Sequence, residues 1–267
     1  MKVLVIGVGN MGMTYAEGMA ASPLLNRKKL MVYDISTEKL NLMRGKKIFD
    51  VYDSIETCIP KAELIFLVVK PQQSTSLFKI LKPLVSPRHV VVSLMAGVSI
   101  RTIQEGMGIP KVVRTMPNLP AQVGKGVTTY TEAPEVSQKE LSLIKGLLDT
   151  TGKSIRVENE IFIDASTGIS GSGPAYVFYF MQSMIEAAIR MGFSEEDSRL
   201  LVSQTFEGAV ELFNCNTLSP QIWMDRVASK GGTTHAALNY LEDHQVKDLI
   251  KDAAQAAFAR AVELGKE

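Results

Sequence analysis

The sequence predicts an α/β protein in which a doubly wound parallel sheet precedes an all-helical half. Two observations lead to this prediction. The first part of the chain alternates apolar, β-branched runs with helix-compatible stretches, and the pattern after Glu158 is nearly all helical. Runs without polar alternation are typical of strands covered on both faces, and helical crossovers make such strands parallel. We therefore expect one domain over residues 1–158 and a second over residues 159–267.

The first strand leads into a glycine motif. The run Val3–Ile6 ends at Gly7, and Gly9 and Gly12 complete Gly-x-Gly-x-x-Gly before a helical stretch, Met13–Ala21. Unpaired N–H groups at the helix start, with the positive end of the helix dipole, favour a phosphate. The three glycines allow a tight turn, approach of a pyrophosphate and close helix packing, in that order. The residues expected to contact a dinucleotide here are Ile6, Gly7, Gly9, Asn10, Met11 and Gly12.

An acidic residue closes the second apolar run, Leu30–Tyr33. This residue, Asp34, lies 22 positions beyond Gly12, about where a ligand for ribose hydroxyls belongs. The combination of strand, glycine turn, helix and acid favours a Rossmann-type dinucleotide site. The alternative is an α/β domain without a cofactor.

Five further apolar runs predict the remaining strands of the sheet. A helix over Lys139–Asp149, with Gly152 just after its end, connects the last two of them. The predicted strands are Leu64–Val69, His89–Leu94, Lys111–Arg114, Val127–Tyr130 and Ser154–Val157.

Two of these strands end in segments suited to a nicotinamide. Pro71 stops a strand and imposes an extended backbone on Lys70, which places Val69, Lys70 and Pro71 beside the nicotinamide and its ribose. The alternative is a lysine that only faces solvent. Ala96 and Gly97 follow the next strand, and their small size lets a flat ring approach.

The loop Arg114–Pro120 contains two prolines and Asn118, whose amide offers both donors and an acceptor. A substrate-binding loop and a rigid connector are equal alternatives here. The glycine-rich segment Ser170–Tyr176 is a second candidate anion site, although close helix packing through its glycines is favoured.

The helical half opens with a long apolar helix. It begins at Pro174 and ends at Gly192, and residues Ala175–Met181 are apolar on every side. Such a helix must be covered all round, which a half of this size achieves only with a partner subunit. A capping box at Ser194 starts another helix, and Val246–Ala261 has an amphipathic pattern.

A second candidate ligand segment lies at Ser229–Leu238. Glycines let backbone N–H groups converge and threonine hydroxyls add donors, so the segment suits a small carboxylate or phosphate. The alternative is a helix cap with a flexible lead-in. His235 is a weaker candidate acid or base, since a lone histidine in a first turn is more often exposed. The candidate anion-binding residues are Ser229, Gly231, Gly232, Thr233 and Thr234.

Composition excludes several classes. A net charge of +1 gives no general attraction to nucleic acid or anionic membranes, and we expect no signal peptide because the first strand follows Met1 almost at once. Cys58 and Cys215 form no metal-binding pattern and suit a reducing, cytoplasmic setting. Three scattered histidines predict no metal site, and no Gly-x-Ser-x-Gly nucleophile motif occurs.

Over essentially its whole length the chain resembles the pyrroline-5-carboxylate reductases. The last two of the matching segments, in this order after a dinucleotide-binding half, are highly specific. The segments are Ile6–Gly12, Val69–Pro71, Ala96–Val98, Arg114–Asn118, Gly168–Phe178 and Ser229–Thr234.

The resemblance implies reduction of the cyclic imine Δ1-pyrroline-5-carboxylate to L-proline with NADPH or NADH, the last step of proline biosynthesis. It also implies a homodimer with interleaved helical domains and a higher oligomer built from such dimers. The substrate would lie at Gly231–Thr234, with Glu160 nearby. As a mechanistic hypothesis, the backbone N–H groups of Gly232 and Thr233 hold the substrate carboxylate. Thr234 hydrogen-bonds the ring nitrogen, and this is the residue expected to be catalytic.

Three positions depart from the family pattern. Lys230 stands where the family often has proline, and Arg226 lies one turn earlier, so both are candidates to assist carboxylate binding. Asp34 would repel a 2′-phosphate and bind a ribose diol, whereas Ser36 and Lys39 are able to hold a phosphate. The choice between NADH and NADPH therefore stays open at this point.

Three other functions compete with this interpretation. A β-hydroxy acid dehydrogenase needs a general base, typically a lysine, in the second half, but no lysine occurs between Lys153 and Lys230. A dinucleotide-sensing regulator should lack an organised second anion site. A helical dimerisation module with a vestigial nucleotide fold should bind no nicotinamide cofactor.

Overall fold

A computed structural model describes residues 1–25 and 30–265. The chain divides into two compact units, and each is considered by itself. The first contains Met1–Ser172 together with the C-terminal segment from Ala256, and the second is Gly173–Gln255. The predicted boundary at 158/159 stays a prediction, and residues 266–267 of the predicted second domain lie outside the described part. Residues 159–172 group with the sheet in the first unit.

The first unit is built on one eight-stranded sheet of order β3-β2-β1-β4-β5-β6-β7-β8. Its first six strands are parallel, as the apolar runs predict. The strands are β1 (Val3–Ile6), β2 (Leu30–Tyr33), β3 (Phe49–Val51), β4 (Leu64–Leu67), β5 (Val90–Ser93), β6 (Val112–Met116), β7 (Gly126–Glu132) and β8 (Gly152–Arg156).

Helices cover the sheet and form the second unit. The α-helices are α1 (Asn10–Ala21), α2 (Thr37–Gly45), α3 (Ile55–Cys58), α4 (Ser74–Leu81), α5 (Ile100–Met107), α6 (Gln138–Leu148), α7 (Glu160–Ser166), α8 (Gly173–Arg190), α9 (Glu195–Asn214), α10 (Pro220–Val227), α11 (Thr233–Asp243) and α12 (Val246–Leu264). Short 3₁₀ helices lie at Pro23–Leu25, Ile59–Lys61, Pro71–Gln73, Leu119–Val123 and Asp149–Thr151, and a π-helical turn at Thr167–Gly171.

Successive side chains of the central strands enter two separate core layers. Val3 and Val5 belong to one layer, with side chains of α1 and α6. Leu4 and Ile6 belong to the other, with side chains of α3, α4 and α5. Because neighbouring strand residues point to opposite faces, a strand with apolar residues at every position requires helices on both faces. This arrangement confirms the doubly wound fold.

Two features of the sheet differ from the sequence prediction. The strand β3 is short and carries an exposed Asp50, so it left no apolar run to detect. The strand β7 pairs antiparallel to β6. The connection between them is a short loop with one 3₁₀ turn, and parallel pairing needs a crossover of a dozen or more residues.

The second unit is helical throughout, as predicted. Within it α8 packs on α9, but no residue of α8 is buried in the single chain. Phe178 is 58% and Tyr179 73% exposed. The predicted full burial of this helix is therefore not provided by one chain.

Candidate active site

The glycine loop between β1 and α1 has the geometry that its sequence predicts. Gly7 has a φ of +94°, and a Cβ there would lie 2.4 Å from the carbonyl oxygen of Val68. A Cβ on Gly12 would lie 1.9 Å from the carbonyl oxygen of Gly7. Both positions therefore require glycine to keep the turn and the helix in place.

The outer side of this loop is open. A Cβ added to Gly9 would meet no atom within 4 Å, and no side chain caps α1, whose first turn carries no acidic residue. The first N–H groups of the helix are thus left for an anion. These observations fit the pyrophosphate of a dinucleotide at the start of α1, where Gly9, Asn10 and Met11 lie. Contact of these three residues with a cofactor stays a prediction.

Asp34 lies at the end of β2, beside the glycine loop. Its side chain is only 6% exposed. One carboxylate oxygen accepts a hydrogen bond from the N–H of Val8 at 2.8 Å, and the other accepts from the N–H of Ser36 at 2.9 Å. The ammonium of Lys39 is 3.5 Å from the first oxygen. The carboxylate is therefore fixed at the edge where β1 and β2 end.

Ser36 is part of the same corner. Its hydroxyl accepts a hydrogen bond from the N–H of Lys39 at 3.4 Å and caps α2. Tyr33 precedes Asp34, and burial raises the pKa of its hydroxyl, with Glu56 adding to the effect.

The segments after β4 and β5 lie at the same edge of the sheet. Val69 approaches the glycine loop, since its Cγ1 would be 3.0 Å from a Cβ on Gly7. Lys70 has an extended backbone before Pro71, as predicted, and its side chain is exposed. Gly97, next to Ala96, has a φ of +73°.

The C-terminal end of α12 packs on the segment after β5, which contains Ala96 and Gly97. A Cβ on Gly97 would lie 3.1 Å from the carbonyl carbon of Leu264. A side chain at position 97 would crowd the end of this helix, and the φ of +73° also favours glycine there.

A buried ion-pair cluster lies behind the β5–α5 loop. The side chain of Arg114 on β6 is 4% exposed and contacts Glu160 at 3.0 Å and Asp164 at 2.5 Å, both on α7. The same oxygen of Glu160 accepts a hydrogen bond from the N–H of Ile100 at 2.9 Å. The Nε of Arg114 has no hydrogen-bond partner among the described residues.

Sequence reasoning missed this cluster. An arginine that follows two valines in strand β6 was the available signal, because a buried cation requires a paired anion. The carboxylate of Glu160 pairs with Arg114 and accepts the hydrogen bond from the N–H of Ile100. Its predicted place near the substrate stays a prediction.

Both the nitrogen and the oxygen of the Asn118 side-chain amide form hydrogen bonds within the first unit. Its Nδ2 donates to the carbonyl oxygen of Ser170 at 3.1 Å, and its Oδ1 accepts from the N–H of Val127 at 2.9 Å. These bonds favour the rigid-connector alternative, and a contact with substrate stays a prediction.

The second unit carries the threonine segment. Gly231 has a φ of +74°, and Gly232 precedes α11 without any side-chain cap. The N–H of Gly232 donates to the carbonyl oxygen of Ser229 at 2.9 Å. A Cβ on Gly232 would lie 2.4 Å from the Ser229 hydroxyl. The segment therefore delivers the first-turn N–H groups of Thr233 and Thr234 as candidate anion donors.

Three charged or titratable neighbours of this segment differ in their contacts. His235 is exposed and its Nδ1 lies 3.4 Å from the amide of Asn239, which favours the surface alternative. Arg226 stacks on the ring of Trp223 at 5.0 Å. Lys230 is exposed.

Two searches of the described residues gave negative results. In residues 1–25 and 30–265 no three His, Cys, Asp or Glu side chains gather in a way that would hold a metal ion. None of the helices in that part of the chain is long and apolar enough to cross a membrane.

The fold and the glycine loop define a dinucleotide-binding protein of the Rossmann type. A family model described as NADP oxidoreductase coenzyme F420-dependent matches residues 2–97. The model described as pyrroline-5-carboxylate reductase dimerisation matches residues 160–264.

Curated relatives and solved structures match over the whole chain. A pyrroline-5-carboxylate reductase of Corynebacterium melassecola is 34% identical, covering 99% of this chain and 98% of its own. One from Pseudomonas aeruginosa is 31% identical, with 100% and 97% coverage. The structure of a pyrroline-5-carboxylate reductase from Coxiella burnetii gives a TM-score of 0.92 at 31% identity, with 100% and 99% coverage. The Plasmodium falciparum enzyme with NADP bound gives 0.88 at 29%, with 99% and 98% coverage. The chain belongs to the pyrroline-5-carboxylate reductase family.

Proposed function

We propose that this chain reduces Δ1-pyrroline-5-carboxylate to L-proline with NADH or NADPH, the last step of proline biosynthesis. The observation that carries the proposal is the uncapped start of α11, where a Gly-Gly turn opens N–H groups and threonine hydroxyls to a small anion. The substrate is a small carboxylate with a polar ring nitrogen, which matches that set of donors.

The substrate residues have distinct roles in this proposal. The hypothesis that the N–H of Gly232 holds the carboxylate is corrected, because this N–H already donates to the carbonyl oxygen of Ser229. The N–H groups of Thr233 and Thr234 hold the carboxylate in this proposal. Gly231 and Gly232 shape the turn, and the Ser229 hydroxyl borders it. The hydroxyl of Thr234 hydrogen-bonds the ring nitrogen and orients the imine.

When bound, NADH or NADPH would supply a hydride for the electrophilic imine carbon. A protonated imine needs no strong acid from the protein, so orientation and fixed dipoles account for most of the rate. A site that lacks a catalytic nucleophile with an adjacent general base can therefore still be an active site.

The first unit holds the cofactor in this proposal. The glycine loop takes the pyrophosphate, Asp34 and Ser36 border the adenosine ribose, and the two segments after β4 and β5 border the nicotinamide. The residues of those segments are Val69, Lys70, Pro71, Ala96 and Gly97.

The proposal includes a homodimer with two functional domains, residues 1–158 and 159–267, and further assembly of dimers. Its support is the dimerisation model on residues 160–264 and the exposed apolar side chains of α8, such as Phe178 and Tyr179. A cytoplasmic location is also proposed, supported by the free thiols of Cys58 and Cys215.

The experiment follows NADH and NADPH oxidation with pyrroline-5-carboxylate and identifies proline as the product. Thr234→Ala is expected to lower kcat/KM by about 10–100-fold, the effect of losing one hydrogen bond to the reacting group. Thr234→Ser should retain most of the activity, because it keeps the hydroxyl.

His235→Ala is the matched control, since the neighbouring side chain is exposed, and its kcat/KM should stay near that of wild type. Absence of proline with either cofactor would refute the proposed reaction. Unchanged kinetics in Thr234→Ala would remove Thr234 from the site.

A further inference from the structure

The corner between β1 and β2 carries a fixed negative charge. The carboxylate of Asp34 is held from two sides, by the N–H of Val8 at 2.8 Å and by the N–H of Ser36 at 2.9 Å. With only 6% of its side chain exposed, it cannot turn away without breaking these bonds. Rotation of Asp34 to admit another anion would leave a glycine-loop N–H without its acceptor.

This corner is where the two nicotinamide cofactors differ. An acid at the end of the second strand hydrogen-bonds the ribose 2′-hydroxyl of NADH, whereas NADPH has a 2′-phosphate there that an arginine usually accommodates. A phosphate monoester carries about −1.5 to −2 charges at neutral pH. Bringing it beside a fixed carboxylate is therefore unfavourable.

The cation that contacts Asp34 is already paired. The ammonium of Lys39 lies 3.5 Å from the carboxylate of Asp34. A 2′-phosphate would have to take Lys39 from Asp34, which would leave the buried carboxylate less compensated.

We propose that Asp34 makes this chain select NADH over NADPH. The inference rests on the proposed function for its physiological meaning, but the selection itself concerns cofactor binding alone. Asp34 is the specificity-determining residue, and its fixed charge, rather than a shape difference, rejects the 2′-phosphate.

The test measures binding of NAD⁺ and NADP⁺ to the full-length protein by isothermal titration calorimetry, without substrate. Wild type should bind NAD⁺ about tenfold or more tightly than NADP⁺. Equal affinities, or tighter binding of NADP⁺, would overturn the proposal. Because no turnover is needed, a failure of the reductase assay leaves this result interpretable by itself.

Two variants separate charge from other causes. Ile35 follows Asp34 and is 87% exposed, so Ile35→Arg adds a cation without touching the bonds of Asp34. It should strengthen NADP⁺ binding by about fivefold or more and change NAD⁺ binding little. Ile35→Gln, of similar length and uncharged, should behave as wild type.

Asp34→Asn removes the charge itself. It should weaken NAD⁺ binding and narrow the ratio between the two cofactors. If a folded Asp34→Asn variant, checked by circular dichroism, keeps the wild-type ratio, Asp34 does not set the preference. If Asp34→Asn fails to fold, the comparison of Ile35→Arg with Ile35→Gln still tests the proposal. Equal NADP⁺ affinities of these two variants would refute the claim that charge at this corner sets the cofactor preference.

Discussion

Removing the guanidinium of Arg114 should strongly destabilise the first unit. The side chain is 4% exposed and is the shared partner of Glu160 and Asp164, which are 32% and 17% exposed. In Arg114→Met the two carboxylates on α7 lose their cation while remaining partly buried. Breaking a buried pair by removing one partner costs about 3–5 kcal/mol, and the partial exposure of Glu160 places this case at about 3 kcal/mol.

Differential scanning calorimetry at a fixed protein concentration measures the effect. For a chain of this size about 3 kcal/mol corresponds to a fall in Tm of about 6–12 °C. The control is Arg101→Met, which breaks an ion pair with Glu105 whose side chains are 85% and 65% exposed. Its free energy of unfolding should change by less than about 1 kcal/mol.

A double substitution tests the reason for the loss. If uncompensated charge causes it, adding Asp164→Asn to Arg114→Met should recover part of the lost stability. A fall in Tm for Arg114→Met no larger than that for Arg101→Met would refute the argument that this cluster is buried and coupled.

Three more predictions concern the glycine loop, acid stability and thiol reactivity. Gly12→Ala should abolish NAD⁺ binding in calorimetry, because its Cβ would lie 1.9 Å from a loop carbonyl; near-wild-type affinity would contradict this geometry. Burial opposes ionisation of Glu140, but hydrogen bonds from Lys111 and Ser137 prevail and lower its pKa. The ionised carboxylate therefore adds stability above its ordinary pKa that is lost as the pH falls toward the folded-state value, so Glu140→Gln should lower Tm at pH 7 more than at pH 3. Burial raises the pKa of Cys58 to about 11, so Cys215→Ser should show no reaction with a thiol reagent at pH 8 until it unfolds.

Much of the dinucleotide site follows from the sequence because its determinants are local. A strand, a glycine turn and a helix occupy consecutive residues, and the conformations of Gly7 and Gly12 meet constraints that the motif itself encodes. The position of Asp34 at the end of β2 is likewise local.

Other contacts of the site join distant parts of the chain. The bond between Asp34 and Val8 spans 26 positions, and the pair of Arg114 with Asp164 spans 50. The spacing between Gly12 and Asp34 predicts an acid near the glycine loop but not its bond to Val8. No spacing predicts the pair of Arg114 with Asp164, because only the packing of strands and helices brings these groups together.

Gly152 meets both a requirement of the local sequence and a requirement of the tertiary structure. The sequence predicts it as the glycine that follows a helix, and it does follow α6 and a 3₁₀ turn. The structure adds a second requirement, since its φ is +149° and a Cβ there would lie 2.0 Å from the carbonyl oxygen of Gly126.

The sequence by itself determined the fold class, the glycine loop and the family, because apolar periodicity and short motifs are properties of consecutive residues. Tertiary structure decided the antiparallel direction of β7, the ion-pair cluster of Arg114 and the fixed carboxylate of Asp34. The direction of β7 depends on the length of the loop before it. The two charged features depend on burial, because a buried charge is costly unless the fold brings a distant partner to it.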